Sequence, residues 1–422
     1  MEVVIFFMNY YLVGIKGSGM AALACFLQSI GHKVIGSDTI NDYGFETKLK
    51  ENGIKILTFS KDNITSDYIY IISNAYQADF IEVLEIIKNK YTYYYYHDFI
   101  SSLAGIHIAI SGTHGKTTTT TFLKDLLIDE PIGYIIGDGT GGGTINYKYL
   151  IYEACEYQNH FLAYNPDILV ITNIDFDHPD YFIDIQDVQK SFEILKEKSK
   201  YVIELNKLDY EIIEMNAQNT KFLYLQNIYT VNLVGTHLIE DLILALKVLT
   251  KLGFNHDYIK AHLKNLQLPK RRSEETKINN TIIIEDYGHH PKEIDSLREM
   301  IKIKYPNKLV TCIFQPHTYS RTICFYKEFI SSLESFDIVY IDNVFTSKRE
   351  PYDINKQNQI NYLFNMFNRF ENLKINDINF NQEQIIVLLG AGDVHIRFKE
   401  KLKNEKEWKY FHFYWKNNVL IV

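Results

Sequence analysis

The sequence predicts an α/β protein of three domains. Length is the first reason, because 422 residues exceed what one ordinary hydrophobic core organises. The second is a recurring pattern of short, continuous apolar runs that end in polar or glycine-rich clusters. Runs of that kind are buried strands, typical of parallel sheets. The third is that glycine turns followed by small-residue or threonine-rich helices close two of these runs, at Gly14 and Gly112. The expected domains are 1–105, 106–270 and 271–422.

The first domain opens with Tyr10-Tyr-Leu-Val-Gly-Ile-Lys-Gly-Ser-Gly-Met-Ala-Ala-Leu-Ala24, a strand, a glycine turn and a helix of small residues. Val34-Ile-Gly-Ser-Asp38 reads as the next strand with an acid at its tip. This is a Rossmann-like start. The glycines run Gly14-x-x-Gly17-x-Gly19 and depart from the dinucleotide fingerprint GxGxxG, so a different nucleotide diphosphate fits at least as well. Asp38 is either a ligand acid or a solvated loop acid. Tyr68-Ile-Tyr-Ile-Ile-Ser-Asn74 is a further strand, ending where ligands of open α/β sheets collect. Tyr93 to Tyr96 reads as a packed edge.

The central domain begins at Ile106-His-Ile-Ala-Ile-Ser-Gly-Thr-His-Gly-Lys-Thr-Thr-Thr-Thr-Thr121. Strand, turn and helix follow in the order of a phosphate-binding loop. Gly112 and Gly115 let backbone N–H groups face a polyphosphate, and the helix N-terminus adds a favourable dipole. Lys116 would reach the β- and γ-phosphates and Thr117 would ligate Mg²⁺. Ile110 stands where the strict GxxxxGK[ST] pattern has glycine, so the loop is a shortened variant. As a loop lysine, Lys116 is expected to contribute little to stability. Leu150-Ile-Tyr-Glu-Ala-Cys-Glu156 and Asp167-Ile-Leu-Val-Ile-Thr-Asn-Ile-Asp-Phe-Asp-His178 are two more strands. Their ends bring Glu153, Glu156, Asp175, Asp177 and His178 toward one edge, a group suited to a metal beside phosphates. Gly137-Asp-Gly-Thr-Gly-Gly-Gly143 reads as a flexible loop that could close over a substrate.

The last domain follows Pro269-Lys-Arg-Arg272. Thr281-Ile-Ile-Ile-Glu-Asp-Tyr-Gly-His-His-Pro291 is a strand ending in titratable groups, and Leu309-Val-Thr-Cys-Ile-Phe-Gln-Pro-His-Thr-Tyr-Ser-Arg-Thr322 repeats the pattern. Ile338-Val-Tyr-Ile-Asp342 and Ile385-Ile-Val-Leu-Leu-Gly-Ala-Gly-Asp393 are two more strands. His289, His290 and His317 at two strand ends read as ligand-site histidines. Residues 394–422 carry no motif.

Composition narrows the function. Net charge is -8 with no long basic block, which argues against nucleic acid as the main partner. Cys25, Cys155, Cys312 and Cys324 lie far apart without a CxxC pair, so neither a disulfide framework nor a zinc site is expected. The N-terminus carries Glu2 and no basic stretch, unlike a signal peptide, and no apolar run reaches the ~18 residues of a membrane span. A cytoplasmic protein without membrane insertion is expected.

Six segments in one order resemble a known family. They are Gly14-Ile-Lys-Gly-Ser-Gly-Met20, Gly112-Thr-His-Gly-Lys-Thr-Thr118, Tyr152-Glu-Ala-Cys-Glu-Tyr157, Thr172-Asn-Ile-Asp-Phe-Asp-His178, Asp286-Tyr-Gly-His-His-Pro291 and Phe314-Gln-Pro-His-Thr-Tyr-Ser-Arg-Thr322. Together they look like the Mur ligases, from about Tyr11 to Asp393. The resemblance implies a UDP-sugar domain, a central P-loop ATPase-type parallel sheet and a Rossmann-like C-terminal domain that carries the amino acid. It implies ATP and Mg²⁺ as cofactors, with UDP-N-acetylmuramate and L-alanine as substrates. The carboxylate of the sugar's lactyl group would be phosphorylated by ATP, and the amine would then displace phosphate. By the same resemblance, Gly14, Gly17, Ser18, Gly19, Asp38 and Asn74 would hold the UDP-sugar. ATP would meet Gly112, Thr113, His114, Gly115, Lys116, Thr117 and Thr118, with His237, Arg271, His317 and Arg321. Thr117, Glu153 and His178 would be metal-linked, Lys116, Glu153 and His178 catalytic, and Tyr287, His289 and His290 would meet the amino acid.

The family's Gly-x-His-Asn-x-x-Asn stretch near adenine reads Gly235-Thr-His-Leu-Ile-Glu-Asp241 here, so both amides are replaced. Thr318 stands where relatives often carry arginine, and Arg321 could supply that charge. Two alternatives stay open. One is a recycling ligase that adds a tripeptide to the same sugar nucleotide, against which Tyr287 counts weakly. The other is a nucleotide-binding regulator without turnover.

Overall fold

The computed structural model describes residues 7–41, 44–346, 350–405, 414–416 and 419–421. Glu2 lies outside them, as do 406–413, 417–418 and 422 of the unassigned tail. The chain forms two compact units. The first comprises 1–175, 185–207 and 241–267, and the second 176–184, 208–240 and 268–422.

In the first unit, apolar runs make two sheets. The strands β1 (Asn9–Val13), β2 (Lys33–Asp38), β3 (Lys55–Thr58), β4 (Ile69–Ile72) and β5 (Tyr93–Tyr95) form a sheet in the order β3-β2-β1-β4-β5, parallel throughout. Tyr11, Leu12 and Val13 are fully buried, as expected of a parallel strand covered on both faces. The strand order reverses between β1 and β4, where Val13 pairs with Ile72. The crevice for ligands in such sheets lies past the carboxyl ends of those two strands. Gly14 and Asn74 follow them. The tyrosine run is an edge strand, but Tyr93 and Tyr94 are exposed there.

The second sheet of this unit comprises β6 (Ile106–Ser111), β7 (Ile132–Ile135), β8 (Gly141–Gly143), β9 (Tyr149–Glu153), β10 (Ile168–Ile171) and β11 (Val202–Glu204). Its order is β11-β10-β6-β9-β7-β8, with only β7 and β8 antiparallel. The last three residues of the expected flexible glycine loop, Gly141–Gly143, are therefore part of the sheet, and 137–140 form the turn before them. A Cβ on Gly141 would overlap the Ala22 carbonyl oxygen, and one on Gly143 would stand 2.7 Å from the Ile132 oxygen. The glycines permit close backbone approach to the helix Ser18–Ser29, rather than motion.

In the second unit, β12 (Tyr210–Met215), β13 (Thr220–Tyr224) and β14 (Asn227–Val231) form an antiparallel meander. The main sheet comprises β15 (Glu274–Ile278), β16 (Thr281–Asp286), β17 (Leu309–Phe314), β18 (Ile338–Ile341), β19 (Asn368–Arg369) and β20 (Gln384–Leu389). Its order is β15-β16-β20-β17-β18-β19, and only β15 runs antiparallel to its neighbour. The carboxyl ends of β16 and β17 thus flank β20. Val310, Cys312, Phe314, Ile385, Val387 and Leu389 fill one core beneath this sheet. Among the described residues, no helix is long and apolar enough to cross a membrane.

Candidate functional site

The phosphate loop follows β6, which lies between β9 and β10, so three strand ends converge on it. Gly115 caps the helix Lys116–Leu126 in the left-handed region, at φ +79. A side chain there would also overlap the Asp241 carboxylate. The loop is fastened to the end of β10. Thr113 N donates to the Asn173 carbonyl at 3.1 Å, and His114 N to the Asn173 side chain at 2.9 Å. Thr113 Oγ1 receives the Asp175 N–H at 2.9 Å. His114 Nε2 stands 3.8 Å from Asp175. Thr118 is buried in the first turn of the helix.

Lys116 is not an exposed loop lysine. Its side chain is 14% exposed and its ammonium lies 3.0 Å from Glu156 Oε2, itself 2% exposed. The ammonium also donates to the carbonyls of Gly112 and Thr113. Burial disfavours its charge, but the negative groups around it, Glu156 foremost, raise its pKa above the usual lysine value. Glu153, at the end of β9, is bonded to the Thr117 hydroxyl and accepts the Gly137 N–H at 2.6 Å. Burial pushes its carboxyl up, against the pull of the Gly137 N–H, Lys116 and Thr117. Lys116, Thr117, Glu153 and Glu156 therefore meet at one strand-end cluster. Sequence reasoning named Glu156 as a nearby acid, but its role as partner to Lys116 emerges only from the fold.

At the end of β1, Gly14 N and Ile15 N both donate to the Ser37 carbonyl, at 2.9 and 3.1 Å. Gly17 caps the helix Ser18–Ser29 with its own N–H bonded to the Gly14 oxygen. Gly19 faces the Tyr96 hydroxyl, 2.8 Å from where a Cβ would be. Asp38 is not a solvated acid. It is buried and accepts the N–H groups of Lys16 and Thr39, each at 2.7 Å. Its observed work is to hold the glycine turn. Lys16 was missed by sequence reasoning. It is 4% exposed, pairs with Glu46 at 2.6 Å, and donates to the Thr39 and Asn41 carbonyls. Asn74 meets His97, with 2.9 Å between Nδ2 and Nδ1.

In the second unit, Arg321 is buried and grips Asp177 with two bonds, Nε–Oδ1 at 2.7 Å and Nη2–Oδ2 at 3.0 Å. Burial alone would raise the Asp177 carboxyl, yet Arg321 first and then His178 hold it well below the aspartate range. The charge that Arg321 could offer in place of Thr318 is thus engaged. His317 Nδ1 lies 3.2 Å from Arg321 Nη1, and His178 Nε2 is 3.8 Å from Asp177. His290 is buried as the cap of the helix Pro291–Lys304, in a reciprocal capping box with Glu293. Burial lowers the His289 pKa to about 3, despite Glu293 at 3.5 Å. Tyr287 is 36% exposed, with Arg271 and Arg272 over its ring at 5.1 and 5.2 Å. Arg271 also donates to the Gly390 carbonyl. His237 is held down to about 4, mainly by burial. Four non-glycine residues here take positive φ: His178, Arg271, Ser273 and Thr318. Strain of that kind gathers at working sites.

The parallel sheets and the glycine-turn strand ends define an α/β protein of the nucleotide-binding type. The chain matches the family model described as Mur ligase family, catalytic domain, over 9–107, and the Mur ligase middle domain over 110–231. It is 34% identical to the UDP-N-acetylmuramate--L-alanine ligase of Streptococcus pyogenes serotype M49, across 94% of this chain and 98% of that one. Among solved structures, the UDP-N-acetylmuramate-alanine ligase of Thermotoga maritima matches with a TM-score of 0.75 at 21% identity, over 94% of this chain and 100% of that one. A murein peptide ligase from Psychrobacter arcticus matches at 0.67 and 19%, over 94% and 99%. These two likenesses concern the fold. The chain belongs to the Mur ligase family.

Proposed function

We propose that this protein is the ATP-dependent ligase that joins L-alanine to UDP-N-acetylmuramate, in peptidoglycan precursor synthesis in the cytoplasm. One observation carries the reading: the 34% identity to a ligase of that name extends over almost the whole of both chains. The phosphate loop is built for the chemistry. A carboxylate resists attack by an amine because its oxide is a poor leaving group. ATP removes the obstacle, as the lactyl carboxylate attacks the γ-phosphorus, ADP leaves, and an acyl phosphate forms. The amine nitrogen of L-alanine then attacks that carbonyl carbon, and phosphate departs as the amide forms. Catalysis rests on positioning and on neutralising charge.

Within that scheme, Lys116 exchanges its bond to Glu156 for the phosphate oxygens. The N–H groups of Thr113 and His114 are taken by Asn173, so those at the start of the helix Lys116–Leu126 would face the polyphosphate. Thr117 and Glu153 fit Mg²⁺, since both offer oxygen and a partly buried carboxyl whose pKa desolvation raises gains from a cation. Bound there, Mg²⁺ would offset charge on the phosphates. His178 is proposed as a metal-linked group, and Tyr287 with His289 as the wall that receives the amino acid. The domain division 1–105, 106–270 and 271–422 is proposed as the functional one.

The test is phosphate release with ATP, UDP-N-acetylmuramate and each amino acid in turn. L-Alanine should be the best acceptor. Glycine and serine should be slow rather than inert, because one methyl group discriminates by only about 10–200-fold. Preference for a tripeptide over alanine would support the recycling ligase, and no turnover with any acceptor would support the regulator.

A further inference from the structure

We propose that Glu350 is a positioning residue for the reaction: its carboxylate, 30 residues on from Ser320, caps the helix Tyr319–Cys324 and so holds His317 and Arg321 in place. The inference rests on the ligase reading above, with His317 and Arg321 expected on the ATP side of the reaction.

The first N–H groups of any helix have no partner inside it. A threonine just before the helix ordinarily accepts one of them through its hydroxyl. Thr318 stands there and does not. Its backbone takes φ +65 and ψ 139, a region open to glycine and strained for a β-branched residue. Its hydroxyl is buried with no partner among the described residues. Glu350 does the capping instead. Its Oε2 accepts the Tyr319 N–H at 2.5 Å and the Ser320 N–H at 3.2 Å, while the Ser320 hydroxyl donates to Oε1. A carboxylate at this end of a helix also meets the positive end of the helix dipole.

The capped turn carries the groups in question. Arg321 is the third residue of the helix. Its Nη1 lies 3.2 Å from His317 Nδ1 and donates to the His317 carbonyl at 3.4 Å. Thr322 Oγ1 donates to the Thr318 carbonyl at 2.7 Å, which ties the other side of the turn to the same helix. A strained residue such as Thr318 persists only where its surroundings fix it, and bonds to the next two N–H groups do so. Glu350 is fixed in its turn. The Asp353 N–H donates to the Tyr319 hydroxyl at 3.3 Å, and Tyr319 is buried. The Asp353 side chain caps the helix Ile354–Leu363, accepting the Asn355 and Lys356 N–H groups at 2.9 and 3.2 Å. Segment 350–353 is thus bonded at both ends to the helix that bears Arg321.

Steady-state phosphate release by the full chain with ATP, UDP-N-acetylmuramate and L-alanine tests the assignment. In Glu350→Ala, kcat should fall by about tenfold or more, while KM for UDP-N-acetylmuramate, expected on the first unit, should stay within about twofold. Glu350→Gln puts a carbonyl oxygen where Oε2 accepts both N–H groups and an amide donor beside the Ser320 hydroxyl, so it should keep kcat within about threefold. Glycine adopts the turn without strain, so Thr318→Gly in the Glu350→Ala background should regain several-fold of the lost turnover. Near-UV circular dichroism reports folding. If Glu350→Ala does not fold, Glu350→Asp, which draws the carboxylate back by one methylene, carries the same expectation for kcat. A kcat within about twofold of the starting protein in Glu350→Ala would overturn the proposal. So would a Glu350→Gln as slow as Glu350→Ala, or a double variant no faster than Glu350→Ala. Failure of the ligase reading looks different, because the unaltered chain would then release no phosphate with L-alanine.

Discussion

Lys116→Met separates what the loop lysine does for the fold from what it does for the reaction. Methionine keeps the aliphatic stem and deletes the charge. Glu156, 2% exposed, then loses the ammonium at 3.0 Å. A buried carboxylate that loses this ammonium can stay ionised, at a cost of about 3–5 kcal/mol. It can instead take a proton, which for a glutamate with an ordinary value near 4.3 costs about 3.7 kcal/mol at pH 7. The two routes converge on a deficit of roughly 3–4 kcal/mol at pH 7. The sign of the pH dependence follows. In the variant the folded-state pKa of Glu156 is raised, so folding takes up a proton above the unfolded value. The deficit therefore grows as pH rises through that range, by about 1.4 kcal/mol per unit, and shrinks to about 1 kcal/mol at pH 5. Urea unfolding followed by circular dichroism at pH 5 and pH 7 measures it. The double variant Lys116→Met/Glu156→Leu should recover most of the stability and none of the turnover. A single-variant deficit under about 1 kcal/mol at pH 7, or one equal at both pH values, would refute the argument that the pair is desolvated.

Arg321→Ala should cost about 3–5 kcal/mol, because it strands the buried Asp177 carboxylate. Asp177 is depressed in the folded protein, so its stabilisation is present above the ordinary aspartate range and is lost as pH falls through the folded value; the acid-unfolding midpoint of the variant should move to higher pH, and an unmoved midpoint would count against the pair. Glu153→Gln and His178→Ala should each raise the Mg²⁺ concentration needed for half-maximal turnover by about tenfold, and an unchanged requirement in both would show the metal assignment to be misplaced.

The strand ends were legible because each follows an uninterrupted apolar run, as at Ile168–Ile171 before Thr172 and at Ile282–Ile284 before Glu285. The phosphate loop was legible because strand, glycines and helix are contiguous. What stayed hidden depends on distant residues. Lys116 and Glu156 are 40 residues apart, and Arg321 and Asp177 are 144 apart. Neither pairing leaves a local trace, so a lysine that is half of a buried pair reads as a surface group. Asp241 shows the same effect, as a helix residue packed on Gly115, 126 positions earlier in the chain. The meander at 210–231 escaped notice because its strands are short and half-exposed, without the apolar run that marks the parallel ones.

The glycine segment after β7 carries the longest consequence. Its residues were expected to move, and they are instead fixed by what touches them. Gly141 lies against the Ala22 carbonyl, on the helix that begins at the Gly14–Gly19 turn. Gly139 faces the Phe45 ring, and Thr140 meets the Lys48 ammonium at 2.5 Å. Gly137 then gives its N–H to Glu153, which is bonded to Thr117 of the phosphate loop. A continuous series of contacts thus runs from the turn proposed for the sugar nucleotide to the carboxyl proposed for the metal. A side chain at Gly141 would push the helix away and break that series at its closest point. Amide synthesis needs the attacking carboxylate and the γ-phosphorus within about 3–3.5 Å of each other. The close approaches at Gly137, Gly139 and Gly141 are therefore what tie the turn proposed for the sugar nucleotide to the carboxyl proposed for the metal, and a side chain at any of the three would disturb that series.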